Sequence, residues 1–186
     1  MTGPRQEHFR TFALYNRWAN QQLYRAASPL SAEALAEDRG AYFKSLLGTL
    51  NHLLVVDRLW IGRLEGVSPR VLHLDEILHG NLPDLLKARQ QEDQRIIAHV
   101  FALEEEQLAA NVDYQTSSGA PQTQPLHQVL SHLFNHQTHH RGQAHAMLSA
   151  VLQPPQLDEF FSVGEAPLRA AEFEALGWTE QRIWGP

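Results

Sequence analysis

A chain of 186 residues, 43% hydrophobic and 19% charged, fits one globular domain and lacks the signature of disorder. At that length about two thirds of the unfolded surface can be buried. Fifteen Lys and Arg against 21 Asp and Glu give a formal charge of -6, which argues against nucleic acid as a partner, and the absence of cysteine excludes disulfides, thiolate metal sites and a cysteine nucleophile.

The N-terminal stretch MTGPRQEHFR has neither the basic nor the apolar region of a secretory signal. No apolar run approaches the roughly 18 residues of a membrane span. A cytoplasmic protein without membrane contact is expected.

Helical periodicity predicts a first helix over about 6–27, stopped by Ser28-Pro29. A second, AYFKSLLGTLNHLLVVDRLWIGRL, covers about 41–64 and ends before Gly66. It is apolar on nearly every side, which suits either the centre of a bundle or a face shared with a second subunit. A third runs from near Pro83 to about Leu108 and is the most solvated. Between Asn111 and Gln124, polar and β-favouring residues around Ser118-Gly119 read as a loop or small hairpin.

The fourth helix begins at about Leu126, after Pro125, and continues to about Leu152, before Pro154-Pro155. From about 154 to 186 the chain reads as a tail: LDEFFSVGEAP irregular, LRAAEFEAL a short helix closed by Gly177, and WTEQRIWGP with two tryptophans that need a docking surface. No solenoid repeat or βαβ alternation occurs. The fold class expected is all-α: an antiparallel four-helix bundle in a single domain, with a small hairpin or loop before the last long helix and a short C-terminal helix.

The fourth helix carries HLFNHQTHHRGQ, with His132, His136, His139 and His140 inside nine residues. On a wheel of 100° per residue with His132 at zero, His136 falls at about 40° and His140 at about 80°. The apolar positions Val129, Leu133, Met147, Val151 and Leu126 lie at about 60° to 120°. His140 thus sits inside the buried stripe and His136 at its edge. His132 and His139 drift to the solvent side, and His127 and His145 point away. At i and i+4, the rings of His136 and His140 can reach one ion.

Two histidines seldom hold a metal firmly, so a further ligand from another helix is required. His52 is the one histidine of the second helix, but apolar neighbours on all sides leave its facing undecided. Asp57 lies among apolar positions and needs a partner, for which an Arg or Trp of the first helix is expected ahead of direct ligation. Gln137 fills the slot where a zincin protease places its Glu, and EILH at 76–79 is a lone ExxH where a di-iron bundle needs two. Neither chemistry is expected.

YNRWANQQLY, LNHLLVVDRLWIGRL and HLFNHQTHHRGQ, in this order and at these separations, make most of the chain resemble the DinB-like family of bacterial helical bundles, which includes thiol-dependent transferases and isomerases. The resemblance implies a four-helix bundle, often dimeric, with a divalent metal held by His52, His136 and His140. It gives Asn16, Trp18, Ala19 and Asn20 scaffold or site-wall roles. Gln143 is placed near the metal's surroundings, Arg141 in packing or capping, and Gly142 where another helix approaches closely.

Three imidazoles leave a coordination position open, as catalytic sites do. Imidazole suits zinc, nickel, copper and iron; zinc or nickel is expected first, with iron or manganese as alternatives. The expected function is a metal-dependent transferase, isomerase or hydrolase acting on a small molecule, with a low-molecular-weight thiol as cosubstrate and a homodimer as the working unit. Asp57, His132 and His139 are the candidates for a general base. The alternative is a noncatalytic metal-binding or stress-associated bundle.

Overall fold

The computed structural model describes residues 2–67, 73–116, 118–162 and 166–184. Four long helices dominate: α1 (Pro4–Ala27), α3 (Leu46–Leu64), α4 (Leu82–Ala102) and α6 (Leu126–Ser149). Helix α1 packs against α4 and α6, and α3 packs against the same two. Short helices α2 (Ala32–Ala36) and α5 (Glu105–Ala109) lie in the connections, and α7 (Ala166–Ala175) and α8 (Glu180–Trp184) follow α6. No helix among the described residues is long and apolar enough to cross a membrane.

Several boundaries move for local reasons. Helix α3 starts at Leu46 rather than Ala41, because the Ser45 hydroxyl accepts the Gly48 amide as N-cap and Lys44, at φ 64°, cannot continue a helix backward. The predicted third helix is two. Leu103 is extended (ψ 138°), ending α4, and Glu104 starts α5 by a reciprocal cap with Gln107. Helix α2, which the sequence reading missed, begins at Ser31, whose side chain accepts from the Ala34 amide.

The hairpin expected between 111 and 124 is present: β1 (Asn111–Gln115) pairs antiparallel with β2 (Pro121–Pro125), Asp113 opposite Thr123. Ser117 lies outside the described residues. Of the stretch 157–167 read as irregular, Glu159–Phe161 form a 3-10 turn and Ala166 and Pro167 already belong to α7, while 163–165 lie outside the described residues. The last tail segment, drawn without structure, forms α8, and Gly185 and Pro186 lie outside. Its docking surface is α1. Trp178 is buried against Phe173, with the Arg17 guanidinium 5.6 Å from its ring, and Trp184 packs on Phe160.

Two apolar clusters occupy the ends of the long helices. One holds Phe9, Ile61, Val100 and Leu133; the other holds Leu23, Leu50, Leu85 and Leu148. A buried polar layer lies between these levels. It consists of Asn16 and Asn20 from α1, Asp57 from α3, Arg89 and Asp93 from α4, and Gln137 and Arg141 from α6, none more than 3% exposed. Arg89 pairs with Asp57 at 2.7 Å and with Asp93 at 3.1 Å. The partner of Asp57 thus comes from α4, not from the first helix. Asn20 donates to Asp93 at 2.9 Å, Gln137 donates to Asp57, and Arg141 donates to Asn16. Two arginines against two aspartates leave the layer formally neutral, which is the condition for burying four charges.

Burial raises the Asp93 carboxyl from its ordinary 3.8 to about 6, against the opposing pull of Arg89 and with added repulsion from Asp57. The folded state then binds that proton more tightly than the unfolded one. The resulting stability is fully present below about pH 4 and is lost as pH rises through about 6. Asparagine cannot titrate. The stability of the wild type minus that of Asp93→Asn, read from urea midpoints, is therefore expected to fall between pH 4 and pH 6; a difference that rises instead would contradict the shift.

Candidate metal centre

The site sits where α3 and α6 face each other. Helix α3 contributes His52, and α6 contributes His136 and His140 one turn apart, so their rings share a side. Each of these two is followed by a residue of the polar layer, Gln137 or Arg141, which lies about 100° further round. The wheel had placed His140 inside the buried stripe. With Gln137, Arg141 and Ala144 fully buried, that stripe is centred further round, and both histidines lie half-buried at its edge. Val151, counted in the stripe, is 46% exposed because α6 ends at Ser149.

One ring nitrogen from each of His52, His136 and His140 lies within 4.8 Å of the other two. His52 Nε2 and His136 Nε2 are 3.1 Å apart. Two nitrogens bound at about 2.0 to 2.1 Å to one ion, at angles between octahedral and tetrahedral, lie about 2.9 to 3.4 Å apart, so the spacing fits a shared cation. The tautomers fit as well. His52 Nδ1 is 2.7 Å from the Leu74 carbonyl, which can only accept, so Nδ1 carries the proton and Nε2 keeps its lone pair. His140 Nδ1 donates in the same way to Gln143 Oε1 at 2.7 Å. Among the described residues, His136 Nδ1 is buried without a partner.

Burial pushes His52 down to about 4, against the opposing Leu74 carbonyl, and pushes His136 down to about 3 with added repulsion from His140 and His52. His140 is lowered too, mainly by burial and against Gln143. All three rings are neutral near pH 7, the form that binds metal.

The loop before α4 is tied to α3 by Asn51, which donates to the His79 carbonyl and accepts the His79 amide, and this brings Leu74 to His52. EILH lies in that loop, outside any helix. Gln143 Nε2 is 3.2 Å from His139 Nε2, so the outer histidine is tethered to the partner of His140. His132 is exposed and packs edge-on against Trp60 at 5.2 Å. Asp57 is fully buried in the polar layer, its oxygens taken by Arg89 and Gln137. Trp18 has its indole N–H on Glu172 at 2.7 Å and serves the docking of α7.

A match to the DinB family description spans residues 4–163. The chain belongs to the DinB family. It is also 29% identical over 143 residues to "Protein DinB" of Bacillus subtilis (strain 168), covering 72% of this chain and 80% of that protein.

In this DinB chain the site has one contributor that its sequence did not point to. Phe43, in the turn before α3, stacks on His52 with ring centroids 3.7 Å apart. Its only sequence signal is an aromatic just ahead of a serine cap. Contrary to the role the resemblance implies for Gly142, a Cβ placed there meets nothing within 4 Å, so no other helix among the described residues approaches it. Gly142→Ala is accordingly expected to stabilise the chain by about 1 kcal/mol, raising Tm by roughly 2 to 4 °C. A lower Tm in calorimetry would overturn this and point to a second subunit on that face.

Proposed function

We propose that the protein is a metal-dependent enzyme of the thiol-transferase or isomerase kind, built as an antiparallel four-helix bundle in a single domain and working as a cytoplasmic homodimer. The convergence of three neutral imidazoles, with Nδ1 of His52 and His140 already committed to outer acceptors, carries this reading. His52, His136 and His140 would hold one divalent cation, zinc or nickel first, each through a ring nitrogen.

Such a cation with an open position is a Lewis acid that lowers the pKa of an incoming small-molecule thiol. The chain's own part is to orient and to shield. Leu74 and Gln143 fix two rings, and the burial of His52 with the half-burial of His136 and His140 thins the water around them. The chain has no cysteine, so a thiol must come from outside. His139, at the surface and held by Gln143, is the candidate nearest the ligand rings to accept a proton, 4.8 Å from His140 between centroids.

The test loads untagged protein with cobalt(II) and titrates it with 2-mercaptoethanol. The expected result is a saturable thiolate-to-cobalt absorption band, lost in His140→Ala. Cobalt bound at one per chain without any thiol band would instead assign the site to the noncatalytic metal-binding class.

A further inference from the structure

We propose that Phe43 is a positioning residue for the metal centre, a rigid aromatic plate that fixes the plane of the His52 ring; this rests on His52 being a metal ligand. The hydrogen bond from His52 Nδ1 to the Leu74 carbonyl, at 2.7 Å, fixes where one edge of the ring points. It leaves rotation about the N–H···O line free, and that rotation swings Nε2 out of line with His136. Phe43 removes the freedom. Its ring lies 18° from parallel to His52, with centroids 3.7 Å apart, and meets the His140 ring edge-on at 5.4 Å. One side chain therefore touches two of the three ligand rings from outside the coordination shell.

The backbone is shaped to hold that plate. The segment from Ala41 to Ser45 closes through Lys44 N–H to the Ala41 carbonyl at 2.8 Å and Ser45 N–H to the Phe43 carbonyl at 2.7 Å, and Arg39 N–H donates to the Lys44 carbonyl at 2.8 Å. Lys44 sits at φ 64°, a conformation that costs a non-glycine residue about 1 to 2 kcal/mol. Gly48 makes the closeness possible: a Cβ there would lie 2.3 Å from the Phe43 carbonyl oxygen. Any larger residue forces that carbonyl away, and Phe43 with it.

Tyr42, next in the same turn, supplies the control, because it is 86% exposed and touches Phe43 but neither His52 nor His140 by ring contact. The experiment measures zinc affinity by chelator competition, and the visible spectrum of the cobalt(II) form, for wild type, Phe43→Leu, Phe43→Tyr and Tyr42→Ala. Phe43→Leu keeps apolar bulk without the plate and is expected to weaken zinc binding roughly 3- to 10-fold, with a shifted cobalt spectrum. Phe43→Tyr is expected to restore both readouts, and Tyr42→Ala to leave both unchanged.

Wild-type affinity and spectrum in Phe43→Leu would overturn the proposal, as would a Tyr42→Ala loss equal to that of Phe43→Leu, which would trace the effect to the turn as a whole. A wild type that binds no zinc would fail the metal reading itself, a result separate from either.

Discussion

Arg89→Ala is expected to destabilise the protein by about 3 to 5 kcal/mol, lowering Tm by roughly 6 to 20 °C. Arg89 is 1% exposed and faces Asp57, at 0%, and Asp93, at 3%. Burial alone would lower its pKa, but the surrounding acids, Asp93 and Asp57 foremost with Tyr24 and Glu92, together outweigh burial and raise it, so the guanidinium stays charged. Its removal leaves two buried carboxylates with Arg141 as the remaining cation of the layer. The loss comes from stranding charges, not from losing a favourable pair. Pairing Arg89→Met with Asp57→Asn, which removes one charge of each sign, should therefore recover at least about 1 kcal/mol of the single-variant loss. Urea midpoints for both variants check this, and a single-variant loss below about 1 kcal/mol would show that the layer is solvated.

His136→Ala is expected to lower zinc affinity by more than the roughly 10- to 100-fold that outer partners of a ligand control. The three rings form a near-equilateral triangle, in which the His136 centroid is 5.0 Å from His52 and 4.4 Å from His140 while His52 and His140 are 4.5 Å apart, and His136 Nε2 faces His52 Nε2 at 3.1 Å. Deleting it leaves only two of the three nitrogens that lie within 4.8 Å of one another, too few to hold an ion firmly. His140→Ala and His52→Ala are expected to act in the same direction, whereas His132→Ala, an exposed ring packed on Trp60, should bind within about threefold of wild type. Isothermal titration of untagged protein with zinc reads all four. Equal affinity in His136→Ala and His132→Ala would place the metal elsewhere.

What these predictions need was legible in the sequence to different depths. The helix-four pair could be chosen by turning alone, because i and i+4 positions share a face whatever surrounds them. His52 could not, since apolar residues on all sides erase the amphipathic signal that tells a helix which way to face; the family resemblance supplied it. The position of Asp57 gave away that it is buried but not that Arg89 answers it, because Arg89 lies on the helix with the most solvated composition. Gln137 and Arg141, being polar, were not counted in the apolar stripe, and that displaced the inferred centre of the buried stripe on α6.

By itself the sequence determined the number and approximate positions of the long helices, the hairpin and the i,i+4 histidine pair, all of which follow from propensity and periodicity acting over a few residues. It also placed the end of α1 before Ser28-Pro29 and that of α3 before Gly66, whereas the Ser45 cap and the break at Leu103 went unread. The tertiary structure alone decided the polar layer joining α1, α3, α4 and α6, the Leu74 carbonyl on His52 and the Phe43 plate. Each of these sets a group from one element against a group from another. No periodicity within either segment encodes that meeting, because it is fixed only when the helices pack and every buried polar atom has to find its partner.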